Sequence, residues 1–203
     1  MSRVEVEQLT AWLWCLRTPI VQAYALRERD GFNLVDTTTA GQEDEILAAL
    51  AEIAGQPPRI HEVLLTHGHD DHIGAAAGLR ARTGARLVAS CDEAGVIARE
   101  RPAPPPQLAD WEVPLFEQVT PNVPAAPPAV PDRLVDPGDR LGWEHDAVIV
   151  TAPGHIVGVF NADPTVVAAS ARRLADLDAE IACFGHGEPF RRDAAARLAE
   201  LAR

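Results

Sequence analysis

Apolar and polar positions change their period along this chain. Near the start, Trp12, Trp14 and Leu16 alternate with residues of the opposite face, the period of two that marks a half-buried strand. The same reading predicts a second strand over residues 20–26 and a third over 32–35, after the turn Asp30-Gly31. Together they make a β-meander. The period then turns helical, with Ile46, Leu47, Leu50 and Ile53 on one side of a helix over 43–54 that stops at Gly55 before Pro57-Pro58. A buried strand is expected over 60–65, a helix of small residues over 73–80 and a short strand over 86–89. Ser90 with Glu93 forms a capping box for a helix reaching toward Arg99. Later elements are short strands near 133–135 and 147–151 and a turn at Asp136-Pro137-Gly138-Asp139. A helix over 164–177, a buried strand over 180–184 and a final helix from Asp193 complete the alternation of an α/β chain.

One stretch breaks the pattern. Between 101 and 131 lie ten of the seventeen prolines, which remove backbone donors and exclude a central strand or a continuous helix. The segment is expected to run extended over the surface, as a spacer between two halves or as a wall beside a site, with Trp111 and Phe116 offering apolar contact to substrate.

With 203 residues the chain is read as a single domain, 1–203, with 101–131 as its proline-rich connection. Eighteen basic against thirty acidic residues give a net charge of −12, which repels phosphate backbones and anionic lipid. Nucleic acid and membrane are therefore excluded as expected partners, a small-molecule substrate is expected, and a homo-oligomer is compatible with the composition. The amino terminus alternates charge with valine and lacks the apolar stretch of a secretory signal, so a cytoplasmic location is expected. Cys15, Cys91 and Cys183 are too scattered for a disulfide framework and read as buried thiols, Cys183 within the strand over 180–184.

Candidate chemistry concentrates at the end of the strand over 60–65. Thr66-His67-Gly68-His69-Asp70-Asp71-His72 packs three imidazoles and two carboxylates between a strand and a helix, ligand types that zinc and other first-row ions select. A polar turn accounts for one or two such residues, not for all of them. His155 in Pro153-Gly154-His155 and His186 in Gly185-His186-Gly187 also follow predicted strands at glycine-flanked turns. His61 and His145 lack that setting and read as surface or satisfied core residues.

With these motifs the chain resembles the metallo-β-lactamase-fold hydrolases, in the branch of glyoxalase-II-like and generic zinc enzymes, over nearly its whole length. The resemblance implies a four-layer αββα sandwich with a two-metal site along one edge of the paired sheets. It implies that His67, His69 and His155 hold one zinc, and that Asp71, His72 and His186 hold the other. It further implies that Asp36 buttresses the site from behind, and that a metal-bound hydroxide oriented by Asp71, the catalytic residue, attacks an ester, lactone or thioester.

One departure from the family stands out. Its bridging aspartate, normally midway between the last two histidines, has no counterpart here, because His155 passes quickly into Asp163-Pro164, a helix entry. The interval from His155 to His186 is short by roughly two strands of about 5 residues plus turns. Incomplete metal is expected in such a chain, above all at the second site. Within the family, secreted β-lactam hydrolases lack support without an export signal, and a helical substrate domain does not fit in the seventeen residues after His186. The alternatives are a mononuclear iron enzyme of the persulfide-dioxygenase kind and a metal-poor binding protein of the same fold.

Overall fold

The computed structural model describes residues 3–145, 169 and 172–201. Two compact units emerge, Met1–Ala103 with Val123–Ile149, and Pro104–Asn122 with Val150–Arg203.

The first unit is built on one seven-stranded sheet whose spatial order is its sequence order. Strands β1 (Glu5–Gln8), β2 (Leu13–Arg17), β3 (Gln22–Glu28) and β4 (Gly31–Val35) pair antiparallel. The predicted meander is present, with β1 added at its edge; the alternation of valine with glutamate over residues 4–7 is the signal for that strand, read from the sequence only as an argument against a secretory signal. Strands β5 (Ile60–Leu65), β6 (Arg86–Ser90) and β7 (Arg133–Val135) continue parallel to β4. Parallel neighbours need crossovers, and the first is helix α1 (Glu43–Ala54), which ends in left-handed Gly55 as its sequence predicts.

The single helix expected over 73–80 is instead two, α2 (Asp70–Ile73) and α3 (Ala76–Thr83). Helix α2 starts three residues earlier than apolar spacing suggests, because His69 takes the extended N-cap position and Asp70 and Asp71 suit the positive end of a helix. After β6, helix α4 (Cys91–Ile97) begins at Ser90, whose Oγ accepts from the Glu93 N–H at 3.2 Å. Half of the expected capping box is thus formed.

Apolar alternation along the strands loads one sheet face with Phe32, Leu34, Val63, Leu65 and Leu87, which pack against Ile46, Leu50, Leu79 and Ile97 of the helices. The opposite face carries Val88, Val135, Leu141 and Trp143, with Leu26, Val35 and Leu64 half-buried against them. Under that face, buried Glu62 accepts from the Trp143 indole N–H at 2.7 Å and pairs with Arg86, so its charge is compensated. The turn at 136–139 forms as predicted, with the Asp136 N–H donating to Asp139 Oδ2 at 2.8 Å.

The second unit departs further from expectation. The proline-rich stretch is not wholly extended: helix α5 (Val113–Val119) begins with Pro114 in its first turn, where the missing N–H costs nothing, and runs into a 3-10 turn, Thr120–Asn122. The strand expected over 180–184 is reduced to one antiparallel bridge, Ala182 with Phe190. Cys183 beside that bridge is exposed, not core, as is Cys91 at the start of α4; Cys15 alone of the three is buried. The final helix, α6 (Ala194–Leu201), is present, and turns and helix occupy parts of 172–177. The strand expected over 147–151, half of the helix expected over 164–177, and the residues directly after His155 lie outside the described residues.

Candidate metal centre

The parallel run of β4, β5 and β6 brings three carboxyl-terminal strand ends to one edge, where Asp36, the 66–72 loop and the start of α4 follow directly. Asp36 leaves the ladder with φ 58°, after its N–H has bonded Leu64 O at 2.8 Å. That left-handed turn, sparsely populated outside glycine but tolerated by aspartate, sets a buried carboxylate beneath the loop.

Three donors converge on the Asp36 carboxylate. Its Oδ1 accepts the Thr66 N–H at 2.8 Å, and its Oδ2 accepts the Thr66 hydroxyl at 2.7 Å and meets His72 Nδ1 at 2.8 Å. Proton bookkeeping then fixes two imidazoles. A carboxylate only accepts, so His72 carries its proton on Nδ1 and offers Nε2. The Thr66 hydroxyl has spent its own proton on Asp36, so at 2.9 Å from His67 Nδ1 it accepts, and His67 likewise offers Nε2. One carboxylate thus sets both tautomers, one directly and one through a threonine that sequence reasoning passed over. Aspartate behind a histidine is a common orienting device in metal sites.

The ring centroids of His67 and His69 lie 4.6 Å apart, and those of His67 and His72 4.1 Å. Asp36, His67 and His72 offer ligand-type atoms within 4.8 Å of one another, but the Asp36 oxygens are already taken up by Thr66 and His72. Asp71 Oδ2 sits 3.8 Å from His72 Nε2, on the side of the ring away from Asp36. Burial alone lowers the basicity of His72, yet the charge and hydrogen bond of Asp36, with the charge of Asp71, overturn that and hold its pKa above the ordinary 6.5. The two carboxylates thus favour positive charge at this place, carried by a proton on the ring or by a cation that replaces it, and imidazoles converging beside a carboxylate are a donor set that fits a divalent transition ion.

Gly68 lies between His67 and His69, and a Cβ there would stand 2.4 Å from Val96 Cγ1, so only glycine lets the loop approach α4 so closely. Its N–H donates to Glu93 Oε2 at 2.9 Å. The predicted capping box is therefore incomplete for a reason: the Glu93 side chain serves the histidine loop.

His186 is exposed in a bend of the second unit, and His155 lies outside the described residues. Trp111 and Phe116 belong to the second unit as well, Trp111 being 65% exposed rather than packed on apolar surface, and Phe116 half-buried in α5. His61 and His145 are satisfied as expected: His61 Nε2 lies 3.1 Å from Asp30, and His145 stacks on Trp12 at 4.1 Å. At Cys91, a hydrogen bond to Asp136 pushes the thiol pKa up, which disfavours a thiolate ligand or nucleophile.

Comparison with known proteins places this geometry. The profile of the metallo-beta-lactamase superfamily matches residues 17–168. A hydroxyacylglutathione hydrolase of Cereibacter sphaeroides is 30% identical over 179 residues, covering 75% of this chain and 56% of the relative. Another, of Acidiphilium cryptum, is 41% identical over 112 residues, 55% of this chain and 33% of the relative. The chain thus spans about half the length, or less, of the curated relatives it matches. Among solved structures, a metallo-beta-lactamase of Novosphingobium pentaromativorans aligns with TM-score 0.74 at 16% identity, covering 98% of this chain and 87% of the other. A subclass B3 metallo-beta-lactamase of Bradyrhizobium japonicum aligns with TM-score 0.68 at 17% identity, covering 99% and 90%. Such identities establish the mixed α/β fold alone.

Proposed function

This chain belongs to the metallo-beta-lactamase superfamily, and from that premise we propose that it is a metal-dependent hydrolase whose substrate is a thioester. The observation that carries the reading is the hydrogen bonding of Asp36 behind His72 and, through Thr66, behind His67, which orients both imidazoles beside His69 and Asp71. His155 and His186 enter the ligand set from the family resemblance. When bound, zinc supplies a Lewis acid and lowers the pKa of its bound water far enough to provide hydroxide near neutral pH. Asp71 would be among the residues holding the ion and would orient the attacking water, and the proton it takes from that water would pass to the thiolate released as the C–S bond breaks. Asp36, hydrogen-bonded to Nδ1 behind His72, holds that imidazole in its orientation.

The thioester is favoured over an oxygen ester or lactone because hydroxyacylglutathione hydrolases recur among the relatives, over stretches that include most of this chain. The match spans only about half the length of those relatives, so the bond type, and not glutathione, is the proposal.

The test is a zinc titration of protein of verified intact mass, followed by hydrolysis assays on matched acyl thioesters, oxygen esters and lactones. Zinc-dependent turnover with the thioester fastest, abolished by chelator and reduced well beyond 100-fold in Asp71→Ala, is the expected result; losses around a ligand alone typically reach about 10–100-fold. Zinc-loaded protein inert to all three classes overturns it. Oxygen consumption with a persulfide after iron loading supports the iron dioxygenase instead.

A further inference from the structure

Helix α4 ends in a Schellman motif, with the Arg99 N–H bonded to Val96 O at 3.0 Å and the Glu100 N–H to Gly95 O at 2.9 Å. The position after the C-cap in that motif is left-handed and ordinarily glycine, yet here it is Arg99, at φ 61°. An arginine held in this conformation costs stability that glycine would not, so its side chain is the place to look for a use.

That side chain returns to the histidine loop. Nη1 donates to the carbonyl of Gly68 at 3.0 Å, and Nη2 pairs with Asp70 Oδ1. The same Asp70 oxygen accepts the Ala126 N–H at 2.9 Å, from the later part of the proline-rich stretch. From the first turn of α4, Glu93 holds the Gly68 N–H. Both hydrogen-bonding groups of Gly68 are therefore gripped by side chains from the two ends of one helix, while Val96 between them closes the space a Cβ would need. Gly68 is the hinge between His67 and His69, and the orientation of its two peptide planes sets the angle between those imidazoles.

We propose that Glu93 and Arg99 are positioning residues that clamp the Gly68 peptides and so preset the His67–His69 geometry for metal, with Asp70 aiming the arginine rather than binding the ion. The proposal rests on the reading that these histidines hold a metal.

Zinc affinity, measured by competition with a chromophoric chelator, is compared in the wild type, Arg99→Gly, Arg99→Lys and Glu93→Gln, alongside thermal unfolding of the metal-free proteins. Arg99→Gly is expected to bind zinc at least ~10-fold more weakly while its metal-free melting temperature holds or rises, since glycine relieves the left-handed backbone. That opposition of signs is what a merely structural arginine does not produce. Arg99→Lys, which keeps one cationic donor, should recover part of the affinity, and Glu93→Gln, which keeps an acceptor, should lose less than Arg99→Gly. Wild-type zinc affinity in Arg99→Gly overturns the clamp, as does a loss of affinity matched by a fall in metal-free stability. If the wild type takes up no zinc, the metal reading fails by itself, and hydrogen exchange of the 66–72 segment in metal-free protein still judges the clamp: exchange no faster in Arg99→Gly than in wild type overturns it.

Discussion

At Gly68 the demand is for space. A methyl group there meets the Val96 side chain at 2.4 and 2.9 Å, and α4 is held in place by its cap and by its own contacts with the core. Gly68→Ala is expected to destabilise the fold by about 1–3 kcal/mol, the range for overpacking. Because the obstacle is a side chain, Val96→Ala in the same protein should restore a good part of that loss. Urea unfolding of the two single variants and the double variant measures the coupling, and strict additivity would show that Val96 is not the obstacle. Asp36 makes a different demand: its two oxygens serve three partners, and the tautomers of His67 and His72 follow from that one buried carboxylate. Its identity was legible as an aspartate ending a strand, whereas Thr66, the relay to His67, has no sequence signal beyond standing next to a histidine.

For helices the informative places are the ends. Gly84 closes α3 at φ 73° with its N–H on Arg80 O, and nothing stands within 4 Å of a Cβ placed there. Gly84→Ala should therefore cost about 1 kcal/mol through backbone conformation alone, unlike Gly68, where packing decides. Differential unfolding of the two variants separates the mechanisms, and a neutral Gly84→Ala would remove the left-handed cap as a contributor. Helix α4 joins both themes, since its capping serine is the one its sequence names while its Glu93 and Arg99 are committed to another loop. Local capping rules identify the helix start; they hold no information about a loop more than twenty residues earlier in the chain. Proline counting similarly placed the break after α4 correctly but missed α5, because a proline in the first turn of a helix forfeits no internal hydrogen bond.

On the scale of the molecule, the chain divides into a sheet-bearing unit that carries the histidine loop and a second unit that carries Trp111, Phe116 and His186. Trp111 is 65% exposed, an apolar surface that contributes little to folding. We expect Trp111→Ala to change stability by no more than about 0.5 kcal/mol and to raise KM for a thioester with a bulky apolar acyl group while kcat is held. That split is the mark of lost binding common to ground and transition state. Stopped assays over a range of substrate concentrations report it, and an unchanged KM returns the segment to the role of spacer. From the net charge of −12 we expect polyanionic substrates to be disfavoured. No helix among the described residues is long and apolar enough to cross a membrane.

By itself the sequence determined the meander, the helix over 43–54, the strands of the parallel run and the family, because each is written in short-range periodicity, capping and a seven-residue motif. Tertiary structure decided what those signals do together. The register of β4 on β5 sets Asp36 under Thr66, across thirty positions of sequence, and the close approach of α4 to Gly68 commits Glu93 and Arg99 to the histidine loop. Such pairings depend on which strand ends share an edge and how near two backbones pass. No local pattern encodes either, because both are set by the packing of one sheet face on its helices.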